Sequence, residues 1–308
     1  MQRASAPLAA ADGAALFVHG WRPEAPARSV VQIVHGMAEH GGRYARLAAA
    51  LTDAGCAVYA GDLRGHGRSA PTPGDLGFFA ARGGWRKCLD DIWRVNRRIA
   101  ADHPGAPIIL LAHSMGSFLA QHFIGLHGDS LAGVVLSGTS GKPSALAVVG
   151  RLIARVERLR RGPRGRSALL QSLAFDGFNK QFAPARTAFD WLSRDTDEVD
   201  KYIADPLCGF PVSIQLWIDV LDGLGAATTA RHQARIPKHL PIYVISGSRD
   251  PVGGNTHSVT QLLAAYRQAG LDRITHRFYA DARHELFNET NRDEVTRDLL
   301  SWLAAVTA

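Results

Sequence analysis

Ser114 stands in the string Ala112-His113-Ser114-Met115-Gly116, between the apolar run Ile108–Leu111 and a helical pattern that opens at Met115. A serine hydroxyl is a weak nucleophile unless the fold presents it to a base. A strand that turns sharply into a helix does so. The hydroxyl then stands clear of the sheet at a helix N-terminus, whose backbone N–H groups can hold an oxyanion. The turn is tight, so the residues two before and two after the serine must be small. Here they are Ala112 and Gly116. Alanine, the next smallest residue, replaces the commoner glycine at the first position. A small-x-Ser-x-Gly match arises by chance in roughly every second chain of this composition, so context carries the argument. The match is unique in the chain and follows an uninterrupted apolar strand.

Such a serine needs a base, and the base an orienting acid. Asp250 and His284 follow it in chain order, each just past an expected strand, Ile242–Ser246 and Ile274–Tyr279. Ligand-facing residues of open α/β sheets gather at such strand ends. Asp281 is the rival acid, three residues from His284 in the same loop. His35, His40, His66, His113, His122 and His127 precede or crowd the serine turn and are read as structural. The oxyanion needs two donors. The run Val30–Val34 ends in His35-Gly36-Met37, where glycine lets the backbone turn inward. The backbone N–H groups of Met37 and Met115 are the expected pair.

The elements that must position these groups alternate along the chain. Strands are expected at Ala15–Trp21, Ser29–Val34, Cys56–Ala60, Pro107–Leu111, Leu131–Leu136, Pro241–Ser246 and Ile274–Tyr279, the first as an antiparallel edge. Helices are expected at Arg43–Ala54, Arg82–Asp102, Met115–Leu126, Val259–Ala269 and Asn291–Val306. This predicts an α/β fold, a mostly parallel doubly wound sheet covered on both faces. The alternation fails from 141 to 236. That stretch is read as a helical cap inserted in a core of residues 1–140 and 237–308.

The whole chain has 308 residues, 46% of them hydrophobic, and a net charge of +7. Those are globular proportions, not those of a disordered chain. Between Lys142 and Arg166 lie eight cations and one anion, Glu157, so the excess charge sits in the cap. Leu146, Val149, Leu152, Ile153, Val156 and Leu159 recur there at helical spacing, with Arg151, Arg155 and Arg158 on the other face. Such a helix either lies on an anionic membrane or packs on the core with its arginines in water. Residues 160–166, with two glycines and a proline, read as a mobile loop. No run of 18 apolar residues occurs, and the N-terminus lacks a continuous signal-peptide core. Three scattered cysteines make neither a disulfide framework nor a zinc pair and suit the cytoplasm, with the membrane surface as a peripheral site. A nucleic-acid partner would rest on charge alone, so none is expected. No metal or dinucleotide motif is complete, and no cofactor is expected.

Four stretches together resemble one family: HGMAEHGGRY (35–44), GDLRGHGRS (61–69), AHSMGS (112–117), and GSRDPVGG with RHELFNE (247–254 and 283–289). They are similar to the monoacylglycerol lipase and bacterial lysophospholipase branch of the α/β-hydrolases. The resemblance implies a serine esterase acting on a mono-acylated glycerol, a lysophospholipid or a similar acyl ester through an acyl-enzyme. It also implies Ser114, Asp250 and His284 as the triad, with Met37 and Met115 as oxyanion donors. An amidase or prolyl iminopeptidase on the same fold is the alternative. It would offer cap carboxylates to a substrate amine. Asp195, Asp197, Glu198 and Asp200 are the candidates there, but their run reads as a solvated helix face.

Overall fold

The computed structural model describes residues 2–307. Its strands are β1 (Gln2–Arg3), β2 (Ala6–Ala9), β3 (Ala15–Arg22), β4 (Ser29–Val34), β5 (Cys56–Gly61), β6 (Ile108–His113), β7 (Gly133–Ser137), β8 (Ile242–Gly247) and β9 (Ile274–Tyr279). Its helices are α1 (Ala45–Asp53), α2 (Gly84–Asp102), α3 (Met115–His127), α4 (Ala145–Arg161), α5 (Ala168–Phe175), α6 (Thr196–Ala204), α7 (Ile214–Ala227), α8 (Ala230–Gln233), α9 (His257–Gln268) and α10 (Arg292–Val306).

The strands form one sheet in the order β1-β3-β5-β4-β6-β7-β8-β9, with β2 also on β3. From β5 to β9 every pairing is parallel. Residues of β4, β6 and β8 are buried throughout, as parallel strands between two helical layers must be. Successive side chains of a strand point to opposite faces. Ile108, Leu110 and Ala112 accordingly join the core under α2, α3 and α9. Ile109 and Leu111 join the core under α1 and α10. Gln32 is the polar exception inside β4. Its amide donates to Ile92 O at 2.9 Å and accepts from Asn96 at 3.1 Å.

Strand β3 is antiparallel to β5 as expected, but it is not the edge. Residues 2–9 add β1 and β2 on its far side. The hairpin closes where Ala10 N–H meets Ala14 O at 2.8 Å, with Gly13 at φ 82°. Alanine is a weak strand former, so this alanine-rich segment carries no strand signal of its own.

Among the described residues no strand lies between Ser137 and Ile242; α4–α8 fill the interval. Helix α7 packs on α3 and on α4. The amphipathic reading of α4 is right in period and wrong in facing if its arginines are taken as the solvated side. Leu152 is 65% and Leu159 86% exposed, while Ala154 is fully buried. Arg151 and Arg155 reach Asp222 on α7, and Arg158 donates to Ala81 O at 3.4 Å. Asp222 of α7 draws Arg151 and Arg155 towards it, and the leucines are left outside. Residues 160–166 are also held rather than loose. Arg164 pairs with Asp75 at 2.8 Å, and Arg166 donates to Leu76 O at 3.1 Å. The backbone carbonyls of Pro163 and Gly165 accept from Gln215 and Ile214.

Candidate functional site

Because β4, β6, β8 and β9 are parallel, their C-terminal loops open on one edge of the sheet. Ser114 follows β6 directly with φ 51° and ψ −124°, a conformation non-glycine residues rarely hold. Its N–H donates to Ser137 O at 2.9 Å, and its carbonyl accepts from Ser117 N–H and Phe118 N–H. The elbow forms with Ala112 fully buried between its neighbours Val34 and Leu136. Gly116 is irreplaceable by size, since a Cβ there would lie 2.3 Å from Val34 O. Helix α3 therefore starts tight against the end of β4.

Asp250 and His284 meet. His284 Nδ1 lies 3.0 Å from each Asp250 carboxylate oxygen, and both residues are buried. The loops can approach because Gly247 has no side chain; a Cβ there would lie 2.1 Å from Ala282 O. Asp250 also accepts from Val252 N–H at 2.9 Å. Asp281 is exposed, and its backbone N–H donates to Ser248 Oγ at 2.8 Å. Burial alone would lower the His284 pKa, but the Asp250 carboxylate outweighs it and holds the imidazole above the usual histidine range. Ser114, Met37, Met115 and His284 all line one cavity of about 540 Å³. Met115 is the first residue of α3, where N–H groups have no intrahelical acceptor.

Several residues read as structural, or not singled out, prove to frame this site. Leu63 N–H donates to His35 Nε2 at 2.8 Å, so His35 carries its proton on Nδ1 and donates to Gly36 O at 2.8 Å. Burial keeps His35 neutral, and it braces the Gly36–Met37 turn. Glu39 Oε1 accepts Gly36 N–H at 2.5 Å, and its other oxygen takes Arg43 at 2.8 Å. Arg43 also grips both oxygens of Glu285, at 2.6 and 2.7 Å. Burial would raise both carboxyls, but Arg43 outweighs it and holds them below the usual range. One guanidinium thus ties the Met37 loop to the His284 loop. The i, i+4 spacing of Glu39 and Arg43 was visible in the sequence; the second carboxylate on Arg43, 242 residues away, was not. His113 lies with its ring 4.6 Å from that of His284, and burial pushes its pKa down to about 4.

Two groups of metal-type side chains occur among the described residues: His19, His40 and Asp62, and His40, Asp205 and Cys208. Their lone pairs are already engaged. His40 Nδ1 accepts Gly42 N–H at 3.1 Å while its Nε2 faces Asp205 at 2.9 Å. Asp62 Oδ1 accepts Gly41 N–H at 2.8 Å and faces His19. Both groups read as hydrogen-bonded supports of the loop before α1.

A mostly parallel sheet with a serine elbow after β6, an acid after β8 and a histidine after β9 defines the α/β-hydrolase fold. A family model described as "Serine aminopeptidase, S33" matches residues 25–291. The chain belongs to that family. It is similar over nearly its whole length to the monoacylglycerol lipase of Mycolicibacterium smegmatis, at 28% identity over 97% of this chain and 96% of that one. To the human monoglyceride lipase it is 27% identical, covering 98% of this chain and 90% of that one. Among solved structures, a carboxyl esterase from Bacillus coagulans in complex with glycerol superposes with a TM-score of 0.92, at 25% identity and full coverage of both chains. Fold and relatives together make this protein a carboxylic-ester hydrolase acting on acyl esters.

Proposed function

We propose that the substrate is a single-chain acyl ester with an uncharged alcohol, a monoacylglycerol in the first place, and that Ser114, His284 and Asp250 carry out its hydrolysis. His284 takes the Ser114 proton as the hydroxyl attacks the carbonyl. Asp250 holds the imidazole and stabilises its charged form. The N–H groups of Met37 and Met115 receive the oxyanion, the alcohol leaves with the proton from His284, and water repeats the cycle on the acyl-enzyme.

The observation that carries this reading is the lining of the cavity at Ser114. It is walled by rings and aliphatic chains, among them Phe118, Phe178, Trp217 and Leu224. These four residues also border a second space of about 700 Å³ that leads to Leu146 and Leu173 on α4 and α5. An acyl chain suits such a path. Among the described residues no lysine or arginine lines the catalytic cavity, whereas Glu39, Asp176 and Glu285 do. A phosphate-bearing alcohol would find no cation there, which favours glycerol over a lysophospholipid headgroup. An amine would find none of Asp195, Asp197, Glu198 and Asp200 in that lining either. Asp195 caps α6, Glu198 pairs with Arg46 and Lys201, and Asp200 pairs with Arg186.

The helical segment from 141 to 236 acts in this reading as a cap. Its α4 leucines suit contact with an anionic bilayer, from which the lipid enters, and the free cysteines Cys56, Cys88 and Cys208 suit a peripheral cytoplasmic enzyme. No helix among the described residues is long and apolar enough to cross a membrane. The test is a panel of monoacylglycerols, lysophosphatidylcholine and aminoacyl amides, with Ser114→Ala as the control. Monoacylglycerols should turn over fastest, a fluorophosphonate should label Ser114 alone, and the alanine variant should be inert though folded. Faster turnover of lysophospholipid or amide, or labelling that survives the substitution, would overturn the reading.

A further inference from the structure

Trp191 lies between the 3-10 turn Phe178–Phe182 and α6, remote in sequence from Ser114, Asp250 and His284. In space it is a wall of His284. The two ring centroids are 5.0 Å apart with planes inclined at 38°. Its carbonyl accepts His284 N–H at 3.4 Å, and the next carbonyl, Leu192 O, accepts Glu285 N–H at 2.7 Å. Arg283 Nη1 donates to Asp190 O and, at 3.1 Å, to Ser193 O. Residues 190–193 of the helical segment thus run beside residues 283–285 and hold the loop by its backbone. The indole is fixed in turn. The Trp191 backbone N–H donates to Asn179 Oδ1 at 2.8 Å, and the ring packs on Phe175 and Phe178 at 5.9 and 4.9 Å.

The charged and titratable groups around His284 come from four places. Asp250 approaches from the loop after β8, His113 from the end of β6, Glu39 and Arg43 from the stretch before α1, and Glu285 from its own loop. Arg43 pairs with both Glu39 and Glu285, one cation against two carboxylates, so this trio also favours the charged imidazole. Burial keeps His113 uncharged at working pH. An aromatic face attracts a cation more strongly than a neutral ring. Trp191 therefore interacts differently with the two protonation states of His284, and during the reaction the charged one forms as Ser114 gives up its proton.

We propose that Trp191 is a positioning residue: its indole favours the imidazolium form of His284, and its backbone ties that histidine to the seated helical segment. The proposal rests on the reading of His284 as the general base. Hydrolytic competence then depends on the cap being in place at this end, whatever α4 does at the other.

The test compares wild type, Trp191→Phe and Trp191→Leu on p-nitrophenyl acetate between pH 5 and 9. The acyl group of this ester is too short to use the distal cavity. Removing a group that stabilises the charged form lowers the histidine pKa. The acid limb of kcat should move down by about half a pH unit in Trp191→Leu and by less in Trp191→Phe. Over the same series kcat should fall about fivefold in the leucine variant, with KM within about twofold of wild type. The Nδ1 proton resonance of His284, titrated in a Ser114→Ala background, should show the same shift without any turnover. An unmoved acid limb and resonance midpoint, or a change confined to KM, would overturn the proposal. If Trp191→Leu fails to fold, the resonance midpoint of Trp191→Phe decides. A His284→Ala variant separates the two readings. Activity surviving in it defeats the general-base assignment, whereas its loss together with an unmoved limb in Trp191→Leu defeats the Trp191 proposal alone.

Discussion

Helix α2 buries Leu89, Ile92, Val95 and Ile99 and leaves Arg86, Asp90, Arg94 and Arg97 in water. Helix α4 has a similar two-faced period and sits the other way, with Leu146, Val149, Leu152, Val156 and Leu159 exposed and Arg151, Arg155 and Arg158 turned towards neighbouring elements. The cause is the neighbour. Helix α2 lies on the apolar face of the sheet, where burying a leucine or isoleucine stabilises by roughly 1.5–3 kcal/mol. Helix α4 lies on α7, whose Asp222 presents its carboxylate to Arg151 and Arg155. A helix held by the sheet serves stability, and one held by a polar seam keeps its apolar side free for something else. The same division separates the strand-end groups at the site from the segment that covers them.

The contrast is broken most strongly at the strand ends. Asp250→Asn should lower kcat about 10⁴-fold through the wrong histidine tautomer, equally on soluble and vesicle-borne esters, while Asp281→Asn leaves kcat nearly unchanged. Steady-state rates of the two variants on both substrate forms check this. If the two effects were exchanged, the orienting acid would be Asp281.

The two helices should then part company in stability. Ile92→Ala empties a fully packed site and should cost about 2–4 kcal/mol by urea unfolding. Leu152→Ala, already in water, should lie within about 0.5 kcal/mol of wild type. Comparable losses would mean that α4 buries its leucines in solution.

A triple change, Leu152→Asp with Val156→Asp and Leu159→Asp, sharpens the functional half. Turnover of monoacylglycerol in phosphatidylglycerol vesicles should fall about tenfold, and that of a soluble ester should not change. Equal effects on both forms would leave α4 a structural element only. The outward leucines are the residues to change, since the arginines are engaged with Asp222 and Ala81 O.

The smallest effect concerns the seam. Asp219 is buried, its Oδ2 has no hydrogen-bond partner, and burial pushes its pKa up to about 6. The folded state therefore holds the Asp219 proton more tightly than the unfolded chain. The associated stability is present below the unfolded pKa and lost as pH rises through about 6. Asp219→Asn should stabilise by about 1 kcal/mol above pH 7 and by nothing near pH 3.5, read from thermal unfolding. A gain that is constant with pH would place its origin elsewhere.

The parallel strands and the order serine, acid, histidine were legible because each is written in a local string. Ile108–Leu111 before Ser114, and Ile242–Ile245 before Asp250, are short apolar runs of the length and type of strands buried on both faces. Strands β1 and β2 were not legible, since alanine and proline carry no strand signal without the β3 backbone beside them. The Arg43 bridge was not legible either. Glu39 and Glu285 become one site only when the loops after β4 and β9 fold to the same edge.

By itself, then, the sequence determined which residue types stand at strand ends, which segments have two faces, and that the interval from 141 to 236 breaks the strand–helix alternation. These depend on neighbours within a few positions, where side-chain period and turn size act directly. Tertiary structure alone decided that Trp191 stands against His284, that Arg43 joins two loops, and that α4 turns its leucines outward. Each is a choice between partners far apart in the chain. Its energy comes from burying a charge against its opposite or packing a ring on a ring, and no local string records which partner the fold will supply.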